Sequence, residues 1–249
     1  MSRAGDAEGL RAEIRRKRFP AVGDAPEKTV VEGFALDVPA LSFTALFGPS
    51  GCGKTTALNL LAGLDRDFEG EITRPAPARI AYVFQEPRLL PWRTVEDNLR
   101  LVLDEPDEAA IEAWLRAMEL ADVRKVFPTR LSLGMARRVA LARAFIIRPT
   151  LLLMDEPFVS LDEPTAQRLR LLLLETLRQH PATVVFVTHN LREAIMLASR
   201  IALLSPAPTR VVREIDVPLT PEARQDDAAI EAIRRQILSL DLPGLRLAG

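Results

Sequence analysis

The chain of 249 residues carries 33 Lys and Arg against 34 Asp and Glu, a net charge of −1, and 48% hydrophobic residues. That supplies one sizeable core and excludes disorder as the main state, while the balanced charge lacks the basic excess of a nucleic-acid binder, so no nucleic acid is expected as a partner. No apolar run reaches the roughly 18 residues of a membrane span, the first 19 residues lack the apolar stretch of a secretory signal, and the single Cys52 fits a reducing cytosol.

In chain order, turn formers at 5–9 and 20–26 predict a loose N-terminal segment over 1–28, with the ordered core starting near residue 29. Residues 42–47 (SFTALF) predict a strand, followed by a glycine-rich turn and a helix over TTALNLLAGL at 55–64. A strand is expected at 80–84 and helices at 94–103 and 108–119, where Ile111, Trp114, Leu115 and Met118 recur at three and four residues. Strands follow at 151–154, 183–187 and 201–204, separated by helical patterns at 163–179 and 191–198. An edge strand at 211–217 and a terminal helix over about 221–240, with Ile230, Ile233 and Ile237 on one face, close the chain. This alternation predicts an α/β fold with a buried, largely parallel sheet.

Residues 48–55 read GPSGCGKT, the pattern G-x-x-x-x-G-K-[ST] between a strand and a helix. Backbone N–H groups of the loop Gly48, Pro49, Ser50, Gly51, Cys52 and Gly53, all but the proline's, would surround a β-phosphate, with Lys54 reaching the β/γ-phosphates, Thr55 offering its hydroxyl to Mg²⁺ and Thr56 completing the nucleotide-binding run. The lysine is one of four in the chain. Cys52 reads as a small loop-filling residue before it reads as a redox group. The run LLLMDE at 151–156 places Asp155 and Glu156 at the carboxyl end of a buried strand, where open α/β sheets bind ligands. Asp155 would hold Mg²⁺ and Glu156 would polarise the attacking water; the alternative is a solvated strand end before Pro157.

Gln85 in YVFQEP, the helix-opening RLSLGMARRVALARAF at 130–145, Ser160-Leu161-Asp162 and His189 in VTHN join these two sites in a fixed order. With these six motifs the chain from about 34 to 204 resembles the ATP-binding-cassette family of ATPase subunits. The resemblance implies a P-loop NTPase with a largely parallel core sheet, an antiparallel β edge and a helical subdomain inserted at about 86–148, all within one ATPase domain over 29–249. It implies ATP and Mg²⁺ as cofactors, hydrolysis to ADP and phosphate, and a homodimer or cassette pair in the ATP-bound state. Each ATP then lies between one subunit's phosphate loop and the other's signature motif. Carried over residue by residue, Gln85 is the Q-loop residue that senses Mg²⁺ and water, and Ser132, Leu133, Gly134 and Met135 form the signature acting in trans. Asp162 is the D-loop acid and His189 the switch histidine that contacts the γ-phosphate. Taken alone, Gln85 reads as a loop glutamine and His189 as a cap for a helix at Leu191; His180, before Pro181, has no role assigned.

Two departures from the family pattern matter. Leu133 stands where the signature usually has glycine, and it is expected to keep a negative φ and face the helical subdomain while Ser132 and the helix N-terminus supply the donors. Phe19 is the candidate for stacking on adenine, with a loose hydrophobic anchor as its alternative. One cassette with no membrane segment looks like the detached ATPase of an importer, peripheral on the cytoplasmic face of the inner (cell) membrane. Its partners would be an integral-membrane permease and, indirectly, a solute-binding protein. Residues 85–99, QEPRLLPWRTVEDNL, are similar to subunits that import nitrate, alkylsulfonates, taurine or related compounds. Leu89, Leu90 and Trp92 there either receive the permease or pack a core. A cassette ATPase that remodels a partner without a permease is the alternative.

Overall fold

Leu10, Ala12 and Ile14 are buried and alternate with exposed Arg11, Glu13 and Arg15, and this period of two builds strand β1 (Leu10–Phe19). The computed structural model describes residues 9–21, 23 and 26–240 and divides into two units, 1–76 with 183–249, and 77–182. The loose segment expected over 1–28 is thereby corrected: β1 is the middle strand of an antiparallel sheet, between β2 (Lys28–Val38) and β4 (Glu69–Thr73). Ile14 lies opposite both Phe34 and Gly70. Six of the ten β1 residues are charged, and the register shifts between Lys17 and Arg18 against β2 and between Ile14 and Arg16 against β4. Both features hide the strand's alternation from a periodicity reading. Residues 1–8 lie outside the described residues.

The first unit also contains a buried sheet in which β3 (Phe43–Phe47) runs parallel to both β7 (Thr183–Thr188) and β8 (Arg200–Leu204), with β9 (Val211–Asp216) antiparallel on β8. Every β7 residue is buried, as a strand covered on both faces requires. Helix α1 (Lys54–Ala62) follows β3, α6 (Leu191–Leu197) follows β7, and α7 (Asp227–Leu238) buries Ile230 and Ile237. Helix α7 begins later than its apolar pattern suggests because Asp226 caps it, accepting a bond from the Ala228 N–H at 2.9 Å.

In the second unit β5 (Ile80–Val83) pairs in parallel with the wholly buried β6 (Leu151–Asp155). Four helices complete it: α2 (Val95–Arg100), α3 (Glu108–Ala117), α4 (Leu133–Phe145) and α5 (Glu163–Gln179). Their caps Thr94, Asp107, Ser132 and Asp162 each accept a backbone bond from the third residue onward, so side-chain chemistry sets every helix start. Trp114 of α3 stacks on Phe145 of α4 with ring centroids 5.7 Å apart, and His180 at the end of α5 lies 4.9 Å from the same indole.

Candidate active site

Strand β3 ends at Phe47 and α1 begins at Lys54, so Gly48 to Gly53 must reverse direction within six residues. Gly53 takes φ +115°, and a Cβ there would lie 2.5 Å from Thr209 Oγ1, so only glycine fits. As the residue before α1 it offers no side-chain cap, which leaves the first N–H groups of the helix and its positive end to an anion. Lys54 is buried, and its Nζ donates to the carbonyls of Gly48 and Pro49 at 3.0 Å each. Thr55 is exposed and Thr56 half-buried, while Pro49, Ser50 and Gly51 stand at the surface. Cys52 is buried and burial pushes its thiol up, which agrees with a loop-filling role.

His189 follows β7 and is exposed. The cap of α6 is Asn190, whose Oδ1 accepts from the N–H groups of Arg192 and Glu193 at 3.0 and 3.3 Å, so His189 does not cap the helix. Phe19 ends β1 and is 42% exposed, with Lys17 Nζ 4.9 Å from its ring centroid. Lys17 is itself buried and held by Asp65 and Asp67 at 2.9 and 3.2 Å. Phe19 is thus fixed at a strand end rather than carried on a loose segment.

The second unit holds the two candidate acids and the candidate signature residues. Asp155 is buried at the end of β6, and its charge, after burial, pushes the Tyr82 hydroxyl upward. Glu156 follows on a left-handed backbone, φ +43°, a strained conformation for a residue with a side chain. Its carbonyl accepts from the Val159 N–H at 3.2 Å, closing a turn that is followed directly by Ser160 at φ +64°. Arg137 from α4 reaches the same turn, donating from Nη2 to the Val159 carbonyl at 3.0 Å. Gln85 lies exposed just beyond β5.

Ser132 is exposed and caps α4, its Oγ accepting from the Met135 N–H at 3.2 Å. Leu133 opens the helix with a negative φ, as expected, but its side chain is 41% exposed and does not bury itself against the helical subdomain. Gly134, not Leu133, is the contact residue of this turn: a Cβ on Gly134 would lie 2.7 Å from Thr165 Cγ2 on α5. Thr165 also donates its N–H to Asp162 at 3.0 Å, which holds that carboxyl below the usual range. Gly134 and Asp162, the candidates for signature glycine and D-loop acid, therefore share one threonine that the motif reading missed.

Trp92 is 69% exposed, which excludes core packing for it, while Leu89 and Leu90 are half-buried. The loop that carries it is anchored by the fully buried Asn98 of α2. Its Oδ1 accepts from the Leu90 N–H at 2.8 Å, and its Nδ2 donates to the carbonyls of Leu90, Arg93 and Thr94 at 2.9 to 3.2 Å. An asparagine inside a helical pattern was the available signal, and spacing alone gives it no partner. No described helix is long and apolar enough to cross a membrane.

Residues 31–159 match the ABC transporter family. The aliphatic sulfonates import ATP-binding protein SsuB 2 of Burkholderia cenocepacia (strain HI2424) is 38% identical over 220 residues, 85% of this chain and 82% of its own. SsuB of Granulibacter bethesdensis, another aliphatic sulfonates import ATP-binding protein, is 44% identical over 214 residues, 85% of this chain and 88% of its own. Among solved structures, a dimeric post-hydrolysis state of the ATP-binding cassette MJ0796 bound to ADP and Pi aligns with a TM-score of 0.74 and 26% identity, over 85% of this chain and 100% of that one. By these matches the chain belongs to the ABC transporter family as an ATP-binding ATPase.

Proposed function

We propose that this chain is the energy-coupling subunit of an importer for a small solute of the sulfonate, taurine or nitrate kind, working as a cassette pair beneath an integral-membrane permease. The solute reaches that permease from a binding protein, and the chain sits peripherally on the cytoplasmic face. The importer reading is carried by Trp92, a large apolar side chain exposed on a loop that Asn98 holds in place. Within that class the names of the relatives, aliphatic sulfonates import proteins, support the sulfonates.

In this reading Lys54 exchanges its two carbonyl acceptors for phosphate oxygens of ATP, and the N–H groups ahead of α1 complete the cradle. Glu156 orients a water and takes its proton as the water oxygen bonds to the γ-phosphorus and the bond to ADP breaks. His189 contacts the γ-phosphate, Gln85 follows metal and water, and Phe19 stacks on adenine. Ser132, Leu133, Gly134 and Met135 close on the ATP of a second copy, flanked by Asp162. The oxygen donors Thr55, Gln85 and Asp155 suit a hard cation, and the buried Asp155 carboxylate is a group for which such a cation is a fitting partner. When bound, Mg²⁺ neutralises charge on the β- and γ-phosphates.

The test is reconstitution of the chain with its cognate permease. Solute-loaded binding protein should stimulate ATP hydrolysis and drive uptake into proteoliposomes. Hydrolysis indifferent to permease and binding protein overturns the importer reading.

A further inference from the structure

Thr209 lies in the turn between β8 and β9, far from the phosphate loop in sequence, yet it is 0% exposed. Its backbone is tied to β2 on both sides: its N–H donates to the Val30 carbonyl at 2.7 Å, and its carbonyl accepts from the Glu32 N–H at 3.1 Å. The turn is braced from within as well. Ser205 Oγ donates to the Pro208 carbonyl at 2.9 Å and accepts from the Arg210 N–H at 3.0 Å. A turn held this way can offer the Thr209 hydroxyl at one place only, and there Oγ1 donates to the Cys52 carbonyl.

We infer that Thr209 is a positioning residue for nucleotide binding: its hydroxyl fixes the plane of the Cys52–Gly53 peptide so that the Gly53 N–H points into the phosphate loop. The reasoning is geometric. In a planar trans peptide the C=O and N–H point in opposite directions, so a carbonyl drawn toward Thr209 sends the N–H the other way. The hydroxyl also occupies the space that a side chain at position 53 would need, since a Cβ there would meet Oγ1 at 2.5 Å. The missing side chain of Gly53 and the hydroxyl of Thr209 are two halves of one contact. Without the hydroxyl a buried carbonyl loses its donor, and rotation of that peptide turns an oxygen instead of an N–H toward the phosphate.

The inference rests on the phosphate-loop reading of Gly48 to Thr55, and the test separates the two. Full-length protein is titrated with ATP, ADP and AMP by displacement of a fluorescent ATP analogue, for the native chain, Thr209→Val, Thr209→Ala, Thr209→Ser and Lys54→Ala. Both hydroxyl-free variants should bind ATP and ADP about 3- to 10-fold more weakly, the worth of one hydrogen bond, with AMP affinity within about twofold of native. Thr209→Ser should restore ATP affinity to within about twofold. Native-like ATP binding by a folded Thr209→Val or Thr209→Ala, or equal losses for ATP and AMP, overturns the positioning role. If Lys54→Ala also binds ATP like the native chain, the phosphate-loop reading itself falls.

Discussion

Lys54 and Glu156 are both charged, but in the proposed mechanism one meets phosphate in the ground state and the other acts as water attacks, so their loss should be felt at different steps. Lys54→Ala is expected to weaken ATP binding by about 1.5–3 kcal/mol, the worth of hydrogen bonds to a charged group. Glu156→Gln should bind ATP within about twofold of native and lose hydrolysis by about 100-fold or more, as removal of a general base does. Equilibrium titration and single-turnover hydrolysis separate the two; normal turnover in Glu156→Gln would remove it from the chemistry. These residues were legible because each motif is local: a glycine-rich turn before a helix and two acids after an apolar run announce themselves within eight residues. Thr209, Asn98 and Thr165 were not. Their partners are chosen by the fold, 157 residues away in the case of Thr209 and Cys52, and one sequence carries no sign of such a pairing.

Helices α4 and α5 approach so closely at Gly134 that a methyl group there would meet Thr165 Cγ2 at 2.7 Å. Gly134→Ala should therefore cost about 1–3 kcal/mol by overpacking, against the gain that alanine normally brings to a helix. The double variant Gly134→Ala with Thr165→Ser, which removes that Cγ2, should recover most of the loss, and urea unfolding of the four chains in the cycle measures it. Additive losses would place the strain elsewhere. A second contact between elements is electrostatic. Burial works against the charge of Glu96 on α2, yet Lys125 and Arg124 outweigh it and hold its carboxyl below the ordinary range. A carboxyl depressed in the folded state adds stability above its unfolded pKa and loses it as pH falls through the folded value. Thermal melts should show stability declining below about pH 5 less steeply in Glu96→Gln than in the native chain. At this scale the reading from sequence succeeded for the long apolar runs β6 and β7 and for the amphipathic α3. It failed for β1 because charge and two bulges covered its alternation, and for β4 because its five residues are nearly all exposed.

For the molecule as a whole, the proposed partner surface makes a prediction that core packing would not. Trp92 is 69% exposed, so Trp92→Ala should leave the isolated chain within about 0.5 kcal/mol of native stability while lowering recovery of the permease complex. Unchanged recovery with intact transport would move the docking surface elsewhere. The alternation of strand and helix gave away the α/β class from the sequence alone and the family resemblance implied an antiparallel β edge, whereas the three strands that form it, β1 at their centre, had to be seen. Cys52 gives the phosphate loop a further property. It is the single thiol of the chain, 2% exposed, in the peptide whose carbonyl Thr209 holds. An alkylating reagent can reach it only when the loop opens, so the rate of alkylation reads the frequency of that opening directly, with no label added and no competing cysteine to subtract. The chain thus carries a built-in clock for its own nucleotide pocket, one that ATP should slow and loss of the Thr209 hydroxyl should quicken.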